Sequence, residues 1–83
     1  MHVEGITIIE GQYLAFIANY QLLHGSAPAE ADMQRFFGTT PPTVHQTILR
    51  LEKKGFISRT PGQARSIKLL ISEKELPELK RMT

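Results

Sequence analysis

Three glycines divide the first two thirds of the chain into separate helices. Gly25, Gly38 and Gly55 each follow a segment in which apolar residues recur at intervals of three and four, the spacing of one buried helical face. Glycine adopts the left-handed conformation freely and is therefore the usual residue just past a helix end. These stops predict three helices, at about residues 8–24, 29–37 and 41–54.

The helix starts carry local signals of their own. Thr7 and Glu10 have the spacing of a capping box, in which each side chain binds the other residue's backbone N–H. Thr40 is predicted to cap the third helix with its side chain, and Pro41 fits the first helical position, where no N–H is needed. The predicted buried residues are Ile9, Tyr13, Leu14, Phe16, Ile17, Tyr20 and Leu23 on the first helix, Met33, Phe36 and Phe37 on the second, and Val44, Ile48 and Leu51 on the third.

After Gly55 the apolar period changes from helical to alternating. Residues 56–60 and 65–71 are predicted strands, and the Pro-Gly-Gln-Ala sequence at 61–64 suits a turn between them. The order of elements is three helices followed by a two-stranded hairpin. This is an α+β, mainly α-helical winged helix-turn-helix, in which the second helix of the pair enters the major groove of DNA.

A short helical tail is predicted from Ser72, limited by Pro77. The chain of 83 residues is expected to form one domain, with its core at about 6–71 and the tail at 72–83. Three apolar tail residues either cover this core or form a dimer contact: Leu76, Leu79 and Met82.

The charge is unevenly distributed along the chain. Residues 38–70 contain six Lys or Arg and one acidic residue, a balance of +5, whereas residues 1–37 contain one Arg and four acidic residues, a balance of −3. A helix and a hairpin that share a positive face favour contact with a nucleic-acid backbone.

Several other classes of function are not supported by the composition. The absence of Cys excludes disulfides and thiolate ligands, and the three histidines lack metal-ligand spacing, so no metal or cofactor is expected. No nucleophile–base pair or Gly-rich phosphate loop is present, and we expect neither enzymatic activity nor a small-molecule ligand. The lack of a membrane-length apolar run or a secretory signal favours the cytoplasm.

The ordered set of stops, caps and wing residues resembles the N-terminal DNA-binding domain of LexA repressors. The resemblance covers about residues 6–70 and needs roughly one deletion near Thr39. It rests on Thr7, Leu14, Ile17, His24-Gly25, Pro28, Gly38, Thr40-Pro41-Pro42-Thr43-Val44-His45, Leu51, Lys54-Gly55-Phe56-Ile57, Gly62, Arg65, Ile67 and Leu69-Leu70. It implies a small prokaryotic transcriptional regulator that binds double-stranded DNA. A monomer of this size is expected to bind weakly, so a homodimer on a palindromic site is expected.

The chain departs from that family in three respects. Gln34 and Phe36 stand where the family usually has Ala, and Pro42 replaces a polar residue at the start of the recognition helix. LexA repressors continue into a protease-like domain, whereas this chain stops about twelve residues after the wing. Self-cleavage is therefore not expected of it, and the LexA operator is not the expected target.

Residues on the polar face of the third helix and on the wing are the candidate DNA contacts. Those of the helix are Thr40, Thr43, His45, Gln46, Arg50 and Lys53, and those of the wing are Arg59, Gln63, Arg65 and Lys68. Four to six phosphate contacts are expected, which correspond to a salt slope of about −4 to −5. Alternatively, the helix charges form a solvated face and the wing charges blunt a sheet edge. A protein–protein interaction module is the main alternative function, and structured RNA or left-handed duplex is a third.

Overall fold

The computed structural model describes residues 5–80. Three α-helices are followed by a two-stranded antiparallel sheet and a turn of 3-10 helix. The elements are α1 (Ile8–His24), α2 (Glu30–Phe37), α3 (Pro41–Lys53), β1 (Ile57–Ser58), β2 (Lys68–Leu69) and the 3-10 helix (Glu73–Glu75). This order confirms the predicted α+β, mainly α-helical winged helix-turn-helix.

The helix boundaries match the sequence expectation to within a residue because they are set locally. Thr7 Oγ1 accepts from Glu10 N–H, and Glu10 Oε1 accepts from Thr7 N–H, both at 3.1 Å. Gly25 and Gly38 end α1 and α2 in the left-handed conformation, with φ of 75° and 63°. The expected capping box and glycine stops are therefore confirmed.

The start of α3 differs in one detail from the prediction. Thr40 occupies the N-cap position with extended backbone, but its side chain makes no capping hydrogen bond. Instead, its hydroxyl donates to Thr43 Oγ1 at 3.0 Å. The expected side-chain cap was wrong: Pro41 and Pro42 leave only the Thr43 N–H as its possible donor, and the Thr40 hydroxyl bonds the Thr43 hydroxyl instead.

The core lies between the middle of α1, both helices of the helix-turn-helix and the base of the hairpin. Its buried members are Tyr13, Leu14, Phe16, Ile17, Ala27, Met33, Phe37, Val44, Ile48, Leu51, Ile57 and Ile67. Tyr20 and Phe36 are half-buried against it. Ile9 and Leu23 were predicted to be buried and are not, since these residues are 38% and 78% exposed. Burial on α1 is confined to Glu10–Ile17, so the ends of this long helix extend past the core.

The hairpin, called the wing below, runs from Ile57 to Leu69. Its ladder is short, with Ile57 paired to Leu69 and Ser58 to Lys68. The predicted strands, 56–60 and 65–71, were too long. Between the strands, a loop is closed by side chains rather than by the ladder, since Ser66 Oγ accepts from Thr60 N–H at 2.9 Å and donates to Thr60 O at 3.1 Å.

The tail after the wing returns to α1. Leu76 and Leu79 pack against the core. The Gln12 side chain donates to Glu78 O at 3.0 Å and accepts from Lys80 N–H at 2.7 Å. These contacts favour the alternative in which the tail covers this domain's own core, while Met82 lies outside the described residues. Among residues 5–80, no helix has the length and apolarity needed to cross a bilayer.

Candidate nucleic-acid interface

Helix α3 has one buried face and one exposed face. Val44, Thr47, Ile48 and Leu51 point into the protein. The candidate contacts on the opposite side are all exposed: Thr43, His45, Gln46, Arg50 and Lys53. The left-handed turn at Gly38 sets the angle between α2 and α3 and thereby presents this polar face to solvent.

The first turns of the exposed α3 face carry neutral hydrogen-bonding groups. Thr43 and Gln46 line a shallow cavity of about 460 Å³, which Thr39 and Arg50 also border. Thr43 provides the first N–H of the helix, since the two residues before it are prolines. Hydroxyl and amide groups at this end of a recognition helix are the ones that reach base edges.

In the fold, His45 lies next to an acidic side chain that is distant from it in the sequence. Its Nδ1 lies 3.2 Å from both carboxylate oxygens of Glu30, at the start of α2. The imidazole is half exposed, and Nδ1 is directed towards Glu30. A base contact by His45 would therefore have to use the other ring nitrogen or exchange partners.

Two cations, Arg50 on α3 and Lys54 just after its end, converge on one buried carboxylate. Arg50 Nε donates to Glu10 Oε2 at 3.0 Å, and Lys54 Nζ donates to Glu10 Oε1 at 2.8 Å. Burial would by itself raise the pKa of Glu10, but the hydrogen bonds from Lys54, the Thr7 N–H and Arg50 outweigh it and lower this pKa to about 2. Glu10 is therefore ionised at neutral pH and neutralises part of the basic face.

The two arginines of the wing are also engaged within the protein. Arg59 Nε donates to Glu52 Oε1 at 3.1 Å, and its side chain is only 17% exposed. Arg65 Nη1 lies 3.2 Å from Asp32 Oδ2. Within residues 5–80, Lys53 and Lys68 form no ion pair, and Gln63 stands exposed at the wing tip.

Sequence reasoning placed the basic residues on the correct helix and hairpin but missed their acidic partners. Arg50 and Glu10 are 40 positions apart, and Arg65 and Asp32 are 33 apart, so no local spacing predicts either pair. The overall charge asymmetry, with an acidic first half and a basic second half, was the one sign that such pairs could form. In the described part of the chain, no three His, Asp or Glu side chains converge to hold a metal ion.

A helix-turn-helix with an exposed polar recognition helix, followed by a hairpin wing, defines the class of winged-helix DNA-binding domains. The comparison with known families identifies the branch of that class. Residues 5–66 match the LexA DNA binding domain, and the chain belongs to this family.

Similar proteins include LexA repressors from several bacteria. The one from Thermosipho melanesiensis is 38% identical over 65 residues, which cover 78% of this chain and 33% of that protein. The one from Thermosipho africanus is 42% identical over 57 residues, or 69% of this chain and 29% of that protein. The chain thus spans about a third of the length of these relatives.

Proposed function

We propose that the chain binds duplex DNA in a sequence-specific manner as part of a prokaryotic transcriptional regulator. In this proposal α3 lies in the major groove and the wing lies against the sugar-phosphate backbone. The observation that carries it is the exposed pair Thr43 and Gln46, which present neutral hydrogen-bonding groups at the start of α3 in a LexA-type fold.

The residues are assigned different tasks. Gln46 is suited to bidentate pairing with adenine, and Thr43 to a thymine methyl or a base acceptor. The Thr40 hydroxyl, with Lys53, Lys68 and Gln63, would position the domain on phosphates. His45 Nδ1, Arg50 Nε and Arg59 Nε are already occupied by Glu30, Glu10 and Glu52, so these residues could join them only through their other nitrogens or by exchanging partners.

The ion pairs change the expected salt dependence. If the six Lys and Arg of residues 38–70 all reached phosphates, the slope of log K against log salt would be about −5. Because Arg50, Lys54, Arg59 and Arg65 are engaged with acidic groups, Lys53 and Lys68 are the two of these six that remain as ready phosphate ligands. The slope we propose is therefore about −2.

Weak binding by a single small domain makes a two-fold site useful, and we propose that two copies occupy a palindromic operator. Repression would then follow from occupancy of that operator, in the cytoplasm. The binding unit is the fold at about residues 6–71, with the part of the 72–83 tail that the structure describes, residues 72–80, as its cover.

The test is fluorescence anisotropy with labelled duplexes at about 50 and 200 mM salt, after selection of a preferred site from a random library. We expect wild-type affinity to fall about tenfold or more between these conditions. Gln46→Ala should lower affinity for the selected site by about tenfold and relax the preference at one base position.

Asn19→Ala is the control, because Asn19 is an exposed amide residue on α1 whose side chain donates to Ala15 O of the same helix. It should bind like the wild type. No binding at micromolar protein and low salt would contradict the proposal. It would direct attention to the protein-interaction alternative, for which Leu22 and Leu23 are exposed apolar residues at the end of α1.

A further inference from the structure

Arg65 has an unusual backbone conformation for its residue type. Among residues 5–80 it is the one residue other than glycine with a positive φ, at 57°. Side chains with a Cβ are disfavoured in this left-handed region, so neighbouring contacts must hold the residue there. The contacts made by its side chain supply a reason for that conformation.

The Arg65 guanidinium joins three separate parts of the chain. Its Nη1 donates to the Tyr20 hydroxyl of α1 at 3.0 Å, to Ala27 O in the α1–α2 link at 3.3 Å, and to Asp32 Oδ2 of α2 at 3.2 Å. The guanidinium carbon also lies 5.8 Å from the centre of the Tyr20 ring. All three hydrogen bonds come from one nitrogen, and the planar guanidinium also lies against the Tyr20 ring, which the compact ammonium of lysine does not reproduce.

The acidic partner is itself held in place. Asp32 Oδ2 accepts from Ala29 N–H at 2.8 Å, and Arg35 binds the other carboxylate oxygen. The Ala29 hydrogen bond, followed by the charges of Arg65 and Arg35, lowers the pKa of Asp32 against the opposing effect of burial. The Asp32 side chain is only 11% exposed, which makes it a fixed acceptor at neutral pH.

The wing has few other restraints near its tip. Its ladder consists of two residue pairs, and Ile67 anchors its base in the core. Residues 61–65 are all exposed. Arg65 is thus the residue that joins this exposed tip to the three-helix body.

We propose that Arg65 is a positioning residue, which fixes the wing tip on the α1–α2 region and thereby presents Gln63, rather than a phosphate ligand. The fixed wing is a property of the free protein. Its consequence for DNA rests on the proposed function.

Amide hydrogen exchange in the free protein tests the structural part. In Arg65→Lys and Arg65→Ala, exchange should become about tenfold faster at the two hydrogen-bonded amides beside the wing tip, Gln63 N–H on Thr60 O and Thr60 N–H on Ser66 Oγ. The exchange rates of the Ile48 and Leu51 amides in the core should change only as much as the measured change in global stability requires. Arg35→Ala is the control, because it removes the other cation from Asp32 and leaves Arg65 in place. Unchanged exchange at the wing tip in both Arg65 variants would overturn the inference, whether or not the protein binds DNA.

The DNA measurement separates a positioning role from direct contact. Asp32→Asn retains an oxygen for the Ala29 N–H but loses the charge that holds Arg65. A positioning role predicts severalfold weaker binding by this variant and by Tyr20→Phe. If Arg65 is instead a phosphate ligand, either substitution would free its guanidinium from the protein and make it available to DNA. DNA binding by the variant that is tighter than wild type and has a steeper salt slope would therefore overturn the inference. If the wild type binds no DNA while the Arg65 variants exchange faster, the proposed function fails and the fixed wing stands.

Discussion

Lys54 Nζ lies 2.8 Å from Glu10 Oε1 and 2.8 Å from Gly5 O, which ties the end of α3 to the segment that precedes α1. Arg50, one helical turn earlier, occupies the second oxygen of the same carboxylate. A single buried acidic residue therefore both orients α3 and reduces the charge that this helix can offer to an anion.

Replacing Glu10 should make stability depend less on pH. A carboxylate with a folded pKa near 2, against about 4.5 in the unfolded chain, stabilises the fold above pH 4.5, and this contribution is lost as the pH falls towards 2. Glu10→Gln should lower the free energy of unfolding by on the order of 3 kcal/mol at pH 7 and by much less at pH 2.5. Urea unfolding across this range gives both values.

Glu75→Gln is the control for that series, because Glu75 is exposed and forms no ion pair within residues 5–80. Its unfolding free energy should follow the wild type within about 0.5 kcal/mol at each pH. A difference between Glu10→Gln and wild type that stays constant with pH would show that the Glu10 charge is not what stabilises the fold.

Truncation of two adjacent lysines should affect different properties, DNA binding for one and stability for the other. Lys53→Ala should reduce the salt slope of DNA binding by about 0.9 and leave stability unchanged, since Lys53 is exposed and without an ion pair in the described chain. Lys54→Ala should lower stability by about 1–2 kcal/mol and change the slope little, because Lys54 is already bound to Glu10. Anisotropy titrations and thermal unfolding of both variants distinguish these effects. Equal slopes for the two would contradict the assignment.

Gly11 marks the place where the tail approaches α1. A Cβ at this position would lie 3.1 Å from Pro77 Cγ and 3.5 Å from Ile6 Cγ2. Gly11→Ala should therefore lower stability by about 1 kcal/mol, because the crowding against Pro77 exceeds the gain in helix propensity. In a Pro77→Ala background the same change should instead stabilise by about 1 kcal/mol. Additive effects in this double-mutant cycle would show that the two residues do not interact.

Two leucines on α1 test which part of this helix is buried in the core. Leu14 is fully buried, whereas Leu23 is 78% exposed. Leu14→Ala should cost about 2–5 kcal/mol in unfolding free energy, and Leu23→Gln should change it by less than about 0.5 kcal/mol. A large loss of unfolding free energy in Leu23→Gln would show that Leu23 is buried, as the helical period predicted.

The helices could be predicted from sequence because their ends are decided by neighbouring residues. Thr7 with Glu10, Gly25 and Gly38 each act within one turn, and the structure places them as expected. Burial along α1 could not be predicted in the same way. An apolar period gives the direction of a face, but not how far along the helix another element covers it, and Leu23 lies beyond that cover.

The sequence predicted where the candidate site lies, but not which of its basic side chains are free to contact DNA. The polar face of α3 and the basic wing follow from local spacing and charge. Whether a cation is free depends on acidic residues that only the fold brings near, such as Glu10 beside Arg50 and Asp32 beside Arg65. The strand lengths in the wing depend on tertiary contacts for the same reason, and the alternating sequence overestimated them.

Ile6 and Pro77 approach the same residue, Gly11, from opposite ends of the described chain. A short linker could therefore join the two ends without crossing the body of the protein. A circular permutant opened at the exposed loop between Pro61 and Ala64 should keep the three helices and their caps. In such a molecule the wing would become two separate strand ends, and the recognition helix would have to act without a continuous hairpin beside it.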